Sequence, residues 1–428
     1  MYKAGRYTAA LLLIVVGGTL LADKMLQTNW LVLLLHFWPV VIIVLGIEYL
    51  LFTFYLRKRS EGLRLGVGSV MLSVLISAAV IVFSQASGSP LSLSAIKETL
   101  NLEQLVSRFS QLDGENGYRF EKEKQSIVIS ELTERIEVEN PNGNLTIRKS
   151  DSSQLELEVV VFVDRYVEEE EARSIASGSK VSIETGSNVR LRAEPQQYGH
   201  DNRRKPRMNM TLYVPPHIAA DYESQLSNGS LTVSDVTVRD LLLTETQNGE
   251  LSLSDIRGGN IEARTTNGNI FVLHTEGSIQ LETRNGKIEA EGIKGAAELS
   301  TTNGSIMVSE VTGDVTAETV NGWIQAEQLS KSVNLQTRNG KITATSDRVG
   351  GNWEVDSSNG SLEIGVPVEG HFTIRAEAHG NLSIDPSFPL KVQRGEAEGT
   401  IGNGEFEINL ETSSEISIVP AKIIDKLK

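Results

Sequence analysis

Eight side chains in the C-terminal half have the chemistry that a polysaccharide-cleaving site needs: the carboxylates of Asp235, Asp255, Glu289 and Asp314, and the cations of Arg284, Lys287, Arg338 and Lys341. Two carboxyl groups held about 5 to 10 Å apart across a glycosidic bond serve as general acid and as base or nucleophile. The spacing argues against that use. Arg284 with Lys287, and Arg338 with Lys341, flank two equivalent turns three repeats apart, which is how solvated corners read, not groups converging on one bond. The six histidines, at 36, 200, 217, 274, 371 and 379, have no ligand spacing, and no phosphate loop, nucleophile elbow or calcium loop occurs. The chain has no cysteine, which excludes disulfides, thiolate metal sites, iron–sulfur clusters and cysteine nucleophiles. The expectation is a protein that is not an enzyme, with no cofactor and no metal site. Two charged features stand apart. Arg203, Arg204, Lys205 and Arg207 form a dense basic cluster, either a contact for an anionic surface or a solvated loop tip between strands. Glu48 lies inside an apolar run, as a partner-helix or proton site or as a side chain reaching the headgroups near Arg57.

The elements that position these residues follow from a repeat. Asn-Gly recurs at Asn228-Gly229, Asn248-Gly249, Asn267-Gly268, Asn285-Gly286, Asn303-Gly304, Asn321-Gly322, Asn339-Gly340 and Asn359-Gly360, at intervals of 20, 19, 18, 18, 18, 18 and 20 residues. His379-Gly380 and Asn403-Gly404 extend the series as degenerate members. Around Asn303, Ala297, Leu299 and Thr301 alternate before the turn, and Ile306 and Val308 after it. Each unit therefore predicts two short strands joined by the Asn-Gly turn and by a second turn, often at glycine, as at Gly277, Gly295 and Gly313. A hairpin meander has the same local signals. The constant interval favours a β-solenoid, because each winding must close one circuit of fixed perimeter to stack at about 4.8 Å on the last. Asparagine and threonine are expected to form inward ladders, with glycine supplying a positive φ at the corner.

The chain of 428 residues carries a net charge of −15, so nucleic acid is not an expected partner. Hydrophobicity is concentrated at the start. Three apolar runs predict transmembrane helices over about 7–25, 30–56 and 65–84, the first also consistent with a signal-peptide core. Lys3, Arg6, Arg57, Lys58, Arg59 and Arg64 place the N-terminus and the loop between the second and third helices in the cytoplasm, and everything after about Ser84 outside. Beyond residue 64 there are 33 cations against 52 anions, so the exported part is the acidic part. The expected division is an anchor over 1–86, a linker with a stalk helix over 87–118, an irregular β layer with a short helix over 119–215, solenoid repeats over 216–410 and a cap over 411–428. In this reading Pro141-Asn142-Gly143 is a turn within the β layer.

Two resemblances bear on role. Leu11 to Asp23 and the stretch Phe37-Trp38-Pro39-Val40 resemble the transmembrane region of LiaI- and LiaF-like envelope-stress proteins of Gram-positive bacteria. From Tyr213-Val-Pro-Pro216 through the Thr-x-Asn-Gly-x-Ile units, the chain resembles the DUF4097 β-strand repeat family of candidate adhesins. The resemblance implies a cell-envelope role beside the lipid bilayer, with envelope proteins, a sensor kinase or a cell-wall polymer as partners, and it brings no catalytic residues. Three functions follow in order: a noncatalytic scaffold or binding module in envelope maintenance or stress response, a regulator of a membrane histidine kinase, and a carbohydrate-active β-helix enzyme.

Overall fold

The computed structural model describes residues 3–4, 64–65, 117–129, 133–199 and 201–421, in two units, Met1–Gly114 and Glu115–Lys428. In the first unit the described backbone is two strands, Lys3–Ala4 and Arg64–Leu65, paired in parallel. Apart from Leu65 the three expected membrane segments, Glu48 and the stalk helix lie outside the described residues. No helix among the described residues is long and apolar enough to cross a membrane.

The second unit is mainly β, two 15-stranded sheets built largely from parallel pairs. Alternation explains them: in Ala297–Asn303 the residues Ala297, Leu299 and Thr301 are buried, and in Ile306–Val311 so are Ile306, Val308 and Val311. Strands that run into an Asn-Gly corner make the entry sheet, and strands that leave it make the exit sheet. Successive units pair like with like, Thr301 on Thr319, Asn303 on Asn321 and Ile306 on Ile324. The inward rows of both sheets merge into one continuous core. This is a stack of coils, not a meander of hairpins.

Of the three expectations about the corners, one holds and two change. The threonines do point inward, and each Oγ1 donates to the glycine carbonyl of the preceding corner, as from Thr283 to Gly268 at 3.0 Å, Thr301 to Gly286 at 3.1 Å and Thr319 to Gly304 at 2.9 Å. The asparagines face solvent: Asn303 Nδ2 donates to Asn285 Oδ1 and Asn321 Nδ2 to Asn303 Oδ1, both at 2.9 Å. Parity along the strand puts Asn on the threonine face, but the chain is already turning there, so the amide swings outward. From Gly249 to Gly360 glycine is required for space and not for a left-handed φ, whereas Gly143 and Gly229, at the first two corners, do have positive φ, 139° and 151°. A Cβ on Gly304 would lie 1.8 Å from the Gly286 carbonyl oxygen, and one on Gly322 would lie 1.9 Å from that of Gly304, while neither φ is in the left-handed region. Left-handed residues recur instead at a second corner, a bulge in the exit strand three residues before Gly277, Gly295 and Gly313, at Asp235, Asp255, His274, Gly292, Glu310 and Gln328, where pairing skips a residue.

Both ends are threaded out of sequence order. Arg135–Asn142 and Leu145–Lys149 form a coil whose Asn142-Gly143 is a true corner, with Asn142 paired to Asn228. It lies between Ala219–Asn228 on one side and Asn188–Glu194 on the other. The short helix, Glu169–Gly178, lies between the strands Leu155–Asp164 and Lys180–Glu184, burying Ala172, Ile175 and Ala176 and exposing its other side chains. At the far end Phe406–Thr412 and Ile416–Pro420 form a coil inserted between the Asn359 coil and the strands Phe372–Ala378 and Leu382–Ile384, pairing Trp353 with Ile408 and Phe372 with Phe406. Thr412 Oγ1 donates to Gly360 at 2.6 Å, so this coil occupies the next place in the threonine series. Asn403-Gly404 is therefore not a corner of the stack. The outermost strands are Lys391–Gln393 in the entry sheet and Leu382–Ile384 in the exit sheet, not the segment after residue 411.

Candidate functional site

The regularity that stacks the coils also disperses the reactive side chains. Asp235 and Asp255 both sit at the left-handed second-corner position, where Asp235 pairs with Arg257 at 3.2 Å and Lys149 at 3.6 Å, and Asp255 faces His274 at 3.5 Å. Glu289, on the outer face of the exit sheet, pairs with Lys287 at 3.0 Å. Asp314, at the start of an entry strand, accepts from the Ser332 backbone at 3.2 Å, and Lys341 pairs with Glu363. Arg284 and Arg338 are exposed beside their Asn-Gly corners. These groups occupy three different faces. Among the described residues no three His, Asp or Glu side chains are gathered as a metal site. The structural turn residues from Asn228-Gly229 to Asn359-Gly360 form one edge of the stack, and their side-chain amides are occupied by the ladder from Asn248 to Asn359.

The basic cluster lies at the N-terminal end of the stack, in a hairpin closed by the Tyr198–Arg204 bridge. Arg203 is exposed and loosely paired with Asp201 at 3.8 Å, Arg204 stacks 4.6 Å over the ring of Tyr166, and Arg207 stacks 4.5 Å over Phe162. The Lys205 carbonyl accepts from Asn142 Nδ2 at 3.2 Å, ending the asparagine edge there. Tyr198 donates to Asp164 at 3.1 Å, and burial, then the Asp164 charge, raises its pKa. Six residues before Asp164 on the same strand, Glu158 accepts from Tyr213 Oη at 2.8 Å and pairs with Lys124 at 3.2 Å, and both partners hold its carboxyl below the usual range.

The two sheet faces differ in chemistry. The entry face is charged: Arg264 reaches Glu262 at 3.1 Å, Glu245 at 3.5 Å and Glu282 at 3.6 Å, beside an open groove of about 730 Å³. Farther along, Asp356, Glu411, Glu377 and Glu396 stand on consecutive strands in one cross-strand row. The exit face is richer in neutral side chains and presents Trp323, 41% exposed, and Leu273. Trp323 is not among the residues that repeat and chemistry single out in the sequence; its signal there is a tryptophan two residues after a corner Asn.

With the coil geometry established, the family is decided by one match: the model for Toastrack DUF4097 covers residues 133–418, from the first coil to the last. The chain belongs to the Toastrack DUF4097 family. This Toastrack chain is also distantly similar to solved structures. A candidate cell adhesion protein of Clostridium sporogenes is 11% identical over 70% of this chain and 99% of that one, with a TM-score of 0.22. A candidate lipid binding protein of Parabacteroides distasonis is 14% identical over 72% and 98%, with a TM-score of 0.38. A candidate adhesin of Bacteroides fragilis is 10% identical over 71% and 97%, with a TM-score of 0.28. No curated protein matches the Toastrack chain.

Proposed function

We propose that this protein is a noncatalytic module of the bacterial cell envelope, anchored in the cytoplasmic membrane by several helices, that displays its Toastrack stack outside as an adhesin-like scaffold in envelope maintenance or stress response. One observation carries the reading: the reactive side chains are spread by the repeat over separate faces and engaged in local pairs, while the stack offers long uniform surfaces for a partner. The apolar runs before residue 85 and their flanking cations support the anchor and its orientation, and the acidic composition beyond residue 64 accords with an exported domain. The bilayer is then one partner, and envelope proteins or a wall polymer the others.

In living cells, photo-crosslinking of the full chain followed by affinity capture tests this. Recovery of membrane or wall components through residues 117–421, with protease applied to intact cells clipping the same region, is the expected result. A stack shielded from external protease, or capture of cytoplasmic proteins by it, overturns the reading. Capture of a sensor histidine kinase through residues 1–86 moves the role to kinase regulation.

A further inference from the structure

We propose that the outer face of the exit sheet binds a neutral polysaccharide, with Trp323 as its stacking platform. The inference rests on the reading of the stack as an externally displayed binding module, and it names the ligand class and the site.

The fold does not need a tryptophan at this position. Equivalent places, two residues after each other corner asparagine, hold Asn144, Ser230, Glu250, Asn269, Lys287, Ser305, Lys341 and Ser361, all small or polar. Trp323 is 41% exposed, whereas Trp353 is 1% exposed in the core. A ring left 41% exposed at a place where eight other coils manage with small or polar residues is more apolar surface than the corner requires, and its exposed part is available to a flat apolar surface.

Its surroundings suit a sugar. By register Trp323 stands between Ser305 and Lys341, and two residues along the strand Gln325 stands between Met307 and Thr343. Hydroxyl, amide and ammonium groups thus border the ring at the coil spacing of about 4.8 Å, close to the advance of one ring in an extended glycan. The apolar CH face of a pyranose covers the indole while its hydroxyls meet these side chains. Charge selects among glycans. Lys341 is paired with Glu363, and Lys287 with Glu289, so the face lacks a free cationic row, and the net charge of −15 repels polyanions. A protein partner fits less well, because Phe271 and Leu273 are three coils away and Glu289 and Glu291 intervene, leaving no contiguous apolar patch.

The test uses the full chain in lipid nanodiscs, titrated calorimetrically with chitotetraose and with cellotetraose, and co-sedimented with purified cell-wall sacculi. Binding of at least one tetrasaccharide is expected, weakened about tenfold or more in Trp323→Ala and retained in part by Trp323→Phe. Circular dichroism and melting of both variants should match the parent, since the side chain is outside the core. Parental affinity in Trp323→Ala overturns the proposal, as does a parent that binds neither oligosaccharide. A dimer that Trp323→Ala converts to monomer, seen by sedimentation, also overturns it by showing the face to be a self-contact. If the parent captures envelope proteins but no glycan, the scaffold reading stands and this site falls. If the stack is not displayed outside yet binds glycan through Trp323, the converse holds.

Discussion

Replacing Gly304 with alanine separates two reasons for a recurring corner glycine. The backbone there is not left-handed, so an account in which corner glycines only supply a positive φ expects the change to be harmless or mildly stabilising. The packing account expects the opposite. The new methyl would lie 1.8 Å from the Gly286 carbonyl oxygen, a backbone atom, against an ordinary limit above 3.0 Å. Relief needs a movement of over an ångström. The neighbouring corner cannot yield that much, because the same Gly286 oxygen accepts from Thr301 and the coils are bonded on both sides. Overpacking of this kind costs about 3 kcal/mol, which for a large domain lowers the melting midpoint by roughly 6 to 12 °C. Gly292 is the control. It is left-handed at φ 71°, its added Cβ would lie 2.7 Å from Cδ2 of the exposed His274 ring, which can turn aside, and at an ordinary 3.5 Å from the His274 backbone, and its equivalents include Asp255 and Glu310. Gly292→Asn should therefore cost no more than about 1 kcal/mol. Melts followed by circular dichroism in which Gly304→Ala unfolds within 2 °C or so of the parent, or in which Gly292→Asn is the worse of the two, refute the argument.

Buried threonines at two positions should respond oppositely to valine. Thr301→Val strands the Gly286 carbonyl and should destabilise by about 1 to 2 kcal/mol, whereas Thr275 Oγ1 is buried with no protein partner, so Thr275→Val should be neutral or stabilising in the same denaturation assay. Tyr213→Phe removes the largest influence lowering the pKa of Glu158. A carboxyl lowered in the folded state stabilises above its unfolded pKa of about 4.3 and loses that contribution as pH falls, so the variant should show a shallower decline in stability on acidification, measured as melting midpoint against pH. Glu377→Lys breaks the row of like charges formed with Asp356, Glu411 and Glu396, and should raise the midpoint at low salt with the gain shrinking as salt is added.

The 18-residue interval was enough to read the stacked coils, because a closed circuit tolerates little variation in length and the alternating Ile, Val, Leu and Ala mark the inward face. The coil at Asn142 was not recognised as a repeat, since 86 residues separate it from Asn228 and periodicity does not survive such a detour. Order at the two ends was equally hidden: coils of one shape fit one another in any sequence, so nothing local tells Leu410 to pair with Val355 and not with a residue beyond Ala376. The exposed asparagines were misplaced because parity fails where a strand bends into a corner. Trp323 was visible in the sequence all along, but it stands out only once the other coils are aligned beneath it.

The inserted final coil sets an order of events for a chain that emerges N-terminus first. Residues 372–384 appear before residues 406–420, yet must leave one berth vacant above Trp353 and Leu362 or be pushed back by a single step when the last segment arrives. The tail thus acts as a keystone, and a messenger truncated near codon 405 would yield a shorter stack closed by different neighbours. Duplication of coding sequence meets the same restriction: extra windings can enter between Asn248 and Asn339 without rethreading, whereas additions after residue 421 find no open end on which to grow.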